Sequence, residues 1–425
     1  MDYKLTKLPN GLRLMTIPMP ALESATLTIW VAAGSRQETP KNRGLAHFLE
    51  HMAFKGGKKY PTARAISEKV DGIGGEFNAG TSKDWTNFYI KARAANLEVA
   101  FDILSDMLLQ PLLKEEEIKR EKGVILEEMA MYEDTPMIKI GDIFERLIFT
   151  GNSLAEDVIG LEETVKSLTR PDFVNYRQAH YFAPNMLVSV AGGVKEQEVL
   201  KLAKKYLGGL GRDGEKAKIA TFASGQKSPV VSLKSKKVEQ AHLILGFQGH
   251  GRGYKGRFVE SLLSVILGGG MSSRLFIEVR ERRGLAYAVK ASTERYGTDA
   301  GYLGVYAGVD PKKAAEAIKV ILEQIYGLKS GKYLIEEAEL TKAKEYLKGH
   351  LALALEDTRA VNEFFADQAL FLKEILTPED IFKIIDEITI EEIMAEAKKL
   401  LVPKGLNLAV IGPYTSQESF DKLVK

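Results

Sequence analysis

The chain of 425 residues lacks cysteine, strong net charge and any long apolar run. Without cysteine, disulfides and thiolate metal sites are excluded, so a bound metal must use histidine, aspartate or glutamate. The net charge of +2 gives no reason to expect nucleic acid as a partner. No uncharged run reaches the roughly 18 residues of a membrane-spanning helix, so no membrane contact is expected. The N-terminal residues lack an apolar signal segment and an Arg- and Ser-rich leader, which favours a cytoplasmic protein.

The composition and the length of the chain indicate a globular protein of two domains. Hydrophobic residues make up 45% of the chain and charged residues 27%, a balance typical of folded soluble proteins. A chain of this length is too long to fold around a single hydrophobic core of ordinary size. An internal repeat of about 220 residues supports two similar halves. The repeated segments are residues 113–118 with 334–340, 133–135 with 356–358, and 186–192 with 406–412.

Local patterns predict the fold class and the domain boundaries. Residues 26–32 and 87–92 alternate as strands do, whereas residues 63–70, 97–109 and 115–132 have helical spacing. Consecutive strands often lack a helix between them, which favours α+β over a doubly wound sheet. We therefore predict two homologous domains, each a mostly antiparallel β-sheet with helices packed on one face. Their ranges are 1–210 and 229–425, joined by a linker at 211–228 rich in Gly, Ser and Lys.

The segment His47-Phe-Leu-Glu50-His51 carries the clearest chemical signal. It lies in a stretch of helical spacing that ends before two glycines, so a helix is predicted. Positions four apart share one helix face, so His47 and His51 can bind the same metal ion. Glu50 lies near that face, where a carboxylate can take a proton from a metal-activated water.

A catalytic zinc site needs a third protein ligand and one open position. The predicted helix at residues 115–132 offers Glu121, Glu127 and Glu128 as candidates. Glu121 and Glu128 are two turns apart on one face. Glu127 points about 100° away from Glu128.

These motifs resemble those of the pitrilysin and insulysin family of inverzincin metallopeptidases. The segments 44–56 and 121–129 are most similar to its smaller branch, which includes the mitochondrial processing peptidase β subunit and bacterial homodimeric peptidases. The resemblance covers nearly the whole chain, including both halves. It implies that His47, His51 and Glu128 bind zinc, that Glu50 is the general base, and that Glu121 orients a ligand.

The resemblance also implies where a substrate binds. The polar segment 74–82 is similar to a strand that pairs with the substrate backbone, which makes Phe77, Asn78 and Ala79 substrate-binding residues. The second half has no histidine motif and is not a second catalytic site. In the family interpretation, its Arg280 and Tyr287 donate hydrogen bonds to the substrate carbonyl or oxyanion.

The sequence thus predicts a zinc endopeptidase with one zinc per chain that cuts peptides or unfolded segments. A noncatalytic partner or core subunit and a peptide-binding module of the same fold are the alternatives. Because larger relatives join four such repeats, we expect a homodimer, with a heterodimer with a paralogous chain as the second option. The scattered histidines are expected to be structural; they are His180, His242, His250 and His350.

Overall fold

The computed structural model describes residues 1–214 and 219–425, which divide into two compact units. Neither unit is continuous in sequence. Unit 1 comprises Met1–Ala130, Glu156–Ile219 and Ala352–Thr377. Unit 2 comprises Met131–Ala155, Ala220–Leu351 and Pro378–Lys425.

The strands of the described residues form one sheet in each unit. They are β1 (Lys4–Lys7), β2 (Arg13–Pro18), β3 (Ser24–Val31), β4 (Glu76–Thr81), β5 (Thr86–Arg93), β6 (Met186–Gly192), β7 (Val230–Ser235), β8 (Ala241–Gly249), β9 (Ala286–Tyr296), β10 (Ala300–Val309) and β11 (Leu406–Gly412). The order in unit 1 is β1-β2-β6-β3-β5-β4, and in unit 2 it is β7-β11-β8-β10-β9. In the described residues, only the pairs β2/β6 and β7/β11 are parallel.

Helices make up most of the remaining regular structure. They are α1 (Leu45–Ala53), α2 (Ala63–Asp71), α3 (Leu97–Leu109), α4 (Glu115–Asp134), α5 (Pro136–Ile148), α6 (Glu162–Ser167), α7 (Arg170–His180), α8 (Glu196–Leu207), α9 (Arg257–Gly268), α10 (Ala314–Ser330), α11 (Glu337–Ala354), α12 (Thr358–Phe371), α13 (Pro378–Glu387), α14 (Ile390–Leu400) and α15 (Glu418–Val424). The predicted α+β class is therefore confirmed. No helix among the described residues is both long and apolar enough to cross a bilayer.

The sheet of unit 1 is covered on both faces. Every residue of β6 is buried, although successive side chains of a strand point to opposite faces. The hydroxyl of Thr26 on β3 lies 2.8 Å from that of Thr358 on α12. The Asn362 amide donates to the carbonyl oxygens of Thr26 and Ser189 at 3.0 and 2.8 Å. A helix from the second half of the chain thus packs on the sheet of the first half.

Unit 2 has the reciprocal arrangement. Leu408 and Val410 of β11 belong to a large core with α9, α10 and α14. Ala409 and Ile411 point to the other face and pack with Phe144 of α5. Here a helix from the first half of the chain covers the sheet of the second half.

These exchanged helices explain how the structure differs from the predicted organisation. The expected ranges 1–210 and 229–425 are continuous, whereas residues 131–155 belong to unit 2 and residues 352–377 to unit 1. Helices were expected on one face of each sheet, and α5 and α12 cover the second faces. The expected linker at 211–228 has no helix or strand in its described part, and its residues 215–218 lie outside the described residues.

The sequence repeat falls on equivalent elements of the two halves. Its first pair of segments leads into α4 and α11, and its third pair forms β6 and β11. Its second pair, residues 133–135 and 356–358, leads into the exchanged helices α5 and α12. The repeat therefore marks one architecture used twice.

Candidate metal centre

Helix α1 carries the histidine motif and has a defined N-terminus. Gly44 precedes it with φ +90°, and a Cβ there would lie 2.6 Å from the carbonyl oxygen of Ile159. Only glycine fits such a close left-handed position without strain. The partly buried carboxylate of Glu38 accepts the backbone N–H groups of Gly44 and Ala46 at 2.8 and 2.7 Å. Glu38 therefore caps the first turn of the helix that presents the motif.

Three side chains converge beside α1 within unit 1. Nε2 of His47 lies 3.8 Å from Oε1 of Glu128, and Nε2 of His51 lies 3.5 Å from Oε2 of the same residue. One potential ligand atom from each of the three lies within 4.8 Å of the others. Glu128 is on α4, whereas both histidines are on α1. Two imidazole nitrogens and a carboxylate oxygen form the donor set of many catalytic zinc sites.

Glu121 binds the ring nitrogen of His51 that does not face Glu128. Nδ1–H of His51 donates to Oε1 of Glu121 at 2.9 Å, which directs Nε2 toward Glu128. Lys55 binds the other Glu121 oxygen at 2.5 Å. Burial raises the pKa of Glu121, but the hydrogen bonds from His51 and Lys55 outweigh it and the net pKa is lowered. Glu121 thus stays ionised and fixes the orientation of His51.

The electrostatics keep His47 in the form that a metal requires. Burial, with a smaller contribution from the charge of His51, lowers the pKa of His47 to about 3. Its imidazole is therefore neutral near pH 7 and retains a lone pair for a metal. Burial would lower the pKa of His51, yet the hydrogen bond to Glu121 and the nearby carboxylates raise it. The carboxylates of Glu50, Glu121 and Glu128 lie near His51, and their negative charge favours the binding of a divalent cation.

Glu50 lies on the same helix and is held by β4. Its side chain is buried, and the Thr81 hydroxyl donates to Oε2 at 2.5 Å. Burial raises the pKa of Glu50, and the charge of Glu128 adds to this, while the Thr81 hydrogen bond and His51 oppose it. A carboxylate with a raised pKa is a better proton acceptor near neutral pH.

The predicted substrate-binding residues lie on β4, the outermost strand of the unit 1 sheet within the described residues. The Phe77 ring packs 5.6 Å from that of Phe54, just after α1. By strand alternation, Ala79 lies on the same face as Phe77 and Thr81, and Asn78 lies on the other. The amide oxygen of Asn78 accepts the N–H of Ala79 at 2.9 Å. An edge strand beside the candidate metal ligands is suited to pairing with an extended peptide.

Arg280 and Tyr287 belong to unit 2 and lie together there. Arg280 is in the π-helical segment Phe276–Glu281, and Tyr287 is near the start of β9. The guanidinium carbon lies 5.2 Å from the centroid of the Tyr287 ring. Tyr287 is 76% exposed. Their predicted contact with a substrate stays a prediction.

Several residues that shape the site were missed by the sequence analysis. Thr81 and Glu38 are the main examples, and Lys55 is a third. The capping role of Glu38 has a weak local signal, since an acidic residue precedes a glycine and an apolar run. Thr81 has none, because 31 residues separate it from Glu50 and only the sheet brings them together.

Comparisons with known proteins agree with this geometry. The family profile "Insulinase (Peptidase family M16)" matches residues 13–160, and "Peptidase M16 inactive domain" matches residues 167–347. An uncharacterized zinc protease of Streptomyces coelicolor is 36% identical over 419 residues, which cover 97% of this chain and 90% of the relative. One of Bacillus subtilis is 34% identical over 408 residues, covering 95% and 97%.

Solved structures show the same architecture. A protease from Helicobacter pylori has a TM-score of 0.88 at 25% identity, with 97% of this chain and 99% of that chain covered. A Pseudomonas fluorescens structure described as a peptidase M16 inactive domain has a TM-score of 0.88 at 21% identity, covering 98% and 99%, and supports the fold alone. With both profiles and the full-length relatives in agreement, the chain belongs to peptidase family M16, the insulinase family.

Proposed function

We propose that this protein is a zinc-dependent endopeptidase that cuts peptides or unfolded protein segments. One observation carries the proposal: His47, His51 and Glu128 converge beside the buried carboxylate of Glu50. Two imidazoles and one carboxylate suit a single zinc ion with an open position for water. The names of the full-length relatives, which are zinc proteases, support the same chemistry.

Each residue of the site then has a distinct role. A bound zinc ion would acidify a water molecule and polarise the scissile carbonyl. Glu50 takes the proton from the attacking water and passes it to the leaving amine. Thr81 occupies Oε2 of Glu50, so we assign the proton transfer to Oε1. Glu121 holds His51 in the tautomer that presents Nε2.

An extended peptide is the substrate that suits the site. Within the described residues β4 is the outermost strand of its sheet, so its outer edge can offer backbone hydrogen bonds to a substrate strand near Phe77, Asn78 and Ala79. Backbone pairing tolerates many side chains, so broad sequence tolerance is expected. Arg280 and Tyr287, contributed by unit 2, would donate hydrogen bonds to the substrate carbonyl as its oxygen becomes negative.

A second candidate function is peptide binding without cleavage, either as a module or as a noncatalytic subunit. The edge strand β4 is the observation that favours it, because strand addition needs no metal. Binding of an uncleaved peptide by the zinc-loaded protein would support this alternative over the peptidase.

Metal removal and replacement test the proposal. Cleavage of an internally quenched peptide should fall to the background rate after dialysis against a chelator and return when zinc is added, because the zinc-activated water is the nucleophile. Magnesium should not restore it, since that ion prefers oxygen ligands. His51→Ala should remain inactive after zinc is added. Full activity of the metal-free protein would contradict the proposal.

A further inference from the structure

Unit 2 contains a second cluster of residues with the donor atoms of a metal site. His250 follows β8, Glu260 is in the first turn of α9, and Glu396 is on α14. Nδ1 of His250 lies 2.6 Å from Oε1 of Glu260 and 3.9 Å from Oε1 of Glu396. One potential ligand atom from each of the three residues lies within 4.8 Å of the others. One nitrogen and two carboxylate oxygens are therefore close enough together to share one cation.

The other oxygen of each carboxylate is held by a separate donor. Oε2 of Glu260 lies 3.3 Å from a guanidinium nitrogen of Arg295. Oε2 of Glu396 accepts the Tyr254 hydroxyl at 2.8 Å. The Tyr254 ring also stacks on the imidazole of His250, with centroids 3.8 Å apart. Outer partners that fix ligand orientation in this way are typical of metal sites.

Oε1 of Glu396, the oxygen that lies near His250, lacks a hydrogen-bond partner among the described residues. The Glu396 side chain is 10% exposed. A buried carboxylate oxygen without a donor is costly, and such groups are normally paired or bound to a metal. The ammonium group of Lys399 does not satisfy this oxygen, because its nitrogen lies 3.8 Å from Oε1, beyond hydrogen-bond distance, and its side chain is 55% exposed.

We propose that His250, Glu260 and Glu396 form a second site for a divalent transition-metal cation such as zinc, separate from the His47/His51/Glu128 site. The imidazole nitrogen excludes a preference for magnesium or calcium, which take oxygen ligands. The two carboxylates face one partly buried guanidinium, that of Arg295, and the exposed ammonium of Lys399, whose charge is screened by water. His250 is about one-third exposed, which gives the cation a path from solvent.

The site links the elements that build the core of unit 2. The loop after β8 leads directly into α9, whereas α14 is remote from both in sequence, and the cation would join all three at one place. Binding would replace the proton on Nδ1 of His250, since that atom now donates to Glu260. We therefore assign the cation a structural role that raises the stability of unit 2.

Metal counting in paired variants tests the inference independently of peptidase activity. The full chain, loaded with zinc and dialysed, is expected to hold about two zinc ions, one in each site. Glu396→Gln and His51→Ala should each lose about one, and the double variant should lose both. Glu391→Gln, an exposed position on the same helix, should retain the full complement. His250→Phe keeps the ring stacking on Tyr254 and should lose the same ion as Glu396→Gln.

The stability readout separates the cation from a purely structural network. Zinc should raise the melting temperature of His51→Ala but not that of His51→Ala/Glu396→Gln. If Glu396→Gln and His250→Phe fold and retain as much zinc as the unchanged chain, the cluster is a metal-free ion-pair network and the inference is overturned. Loss of zinc by His51→Ala alone, with none left in that variant, would overturn it as well.

Discussion

At the scale of the residue, the neighbouring glutamates 127 and 128 decide which carboxylate completes the catalytic site. Glu128 faces both histidines, whereas Glu127 is exposed. Glu128→Gln should lower zinc affinity at the His47/His51 site by more than about 10²-fold, beyond the loss typical of an outer partner. Glu127→Gln should change it by about twofold or less, as surface substitutions usually do. A zinc titration in the Glu396→Gln background isolates this site.

The pair also shows what the sequence can predict about a site. Glu121, Glu127 and Glu128 lie on one helix, so helical geometry alone places Glu121 and Glu128 on one face and turns Glu127 away from that face. The observed contacts of Glu121 and Glu128 follow that geometry. The reverse ranking of the two variants in the titration would move the third ligand to Glu127.

At the scale of the element, the stability of α1 depends on a residue outside it. Glu38 accepts two backbone N–H groups at the start of the helix. Burial raises the pKa of Glu38 to about 8, so both of its oxygens are free to accept above that pH, and there Glu38→Gln replaces one of them with an N–H₂ group and leaves one N–H without an acceptor. We expect a loss of about 0.5–2 kcal/mol in stability, the range for helix caps, measured by denaturant unfolding of the zinc-free protein.

A matched control exists at the start of α14. Glu392 accepts the N–H of Thr389 in an exposed capping box, where glutamine serves equally well. Glu392→Gln should therefore leave stability nearly unchanged. Equal losses of stability in the two variants would show that the hydrogen bonds from α1 to Glu38 contribute no more than those of an exposed capping box.

The sequence predicted the helices and strands more reliably than it predicted which of them pack against each other. The range 97–109 predicted from helical spacing is the range of α3, and the predicted strand 87–92 lies within β5. Spacing reveals which face of a helix is apolar, but not which sheet it covers. The exchange of α5 and α12 was therefore missed. For the same reason the contact between Thr81 and Glu50 had no signal in the sequence.

At the scale of the whole molecule, one chain supplies both the histidine motif and the Arg280/Tyr287 pair. We propose a homodimer in which the second half of each chain serves the zinc site of its partner, since symmetric pairs are the commonest oligomers. Mixed Glu50→Gln and Arg280→Ala chains, each nearly inactive alone, should then regain about a quarter of the activity. Half of the random dimers are mixed, and each of these has one site with both groups intact.

The mixing experiment has its own control. Glu50→Gln mixed with the Glu50→Gln/Arg280→Ala double variant should regain nothing, because no chain retains the base. A monomeric mass in solution with full activity at dilution would contradict the homodimer. A dimer without recovery on mixing would show that each chain uses its own Arg280.

The substitution Glu50→Gln tests the central claim most directly. It removes the proposed base while leaving His47, His51 and Glu128 in place. We predict that kcat for peptide cleavage falls at least about 10²-fold, the low end of general-base contributions, while zinc content and peptide affinity match those of the unchanged chain. Near-normal turnover by a zinc-loaded Glu50→Gln protein would contradict the assignment of Glu50 as the base and the peptidase mechanism built on it.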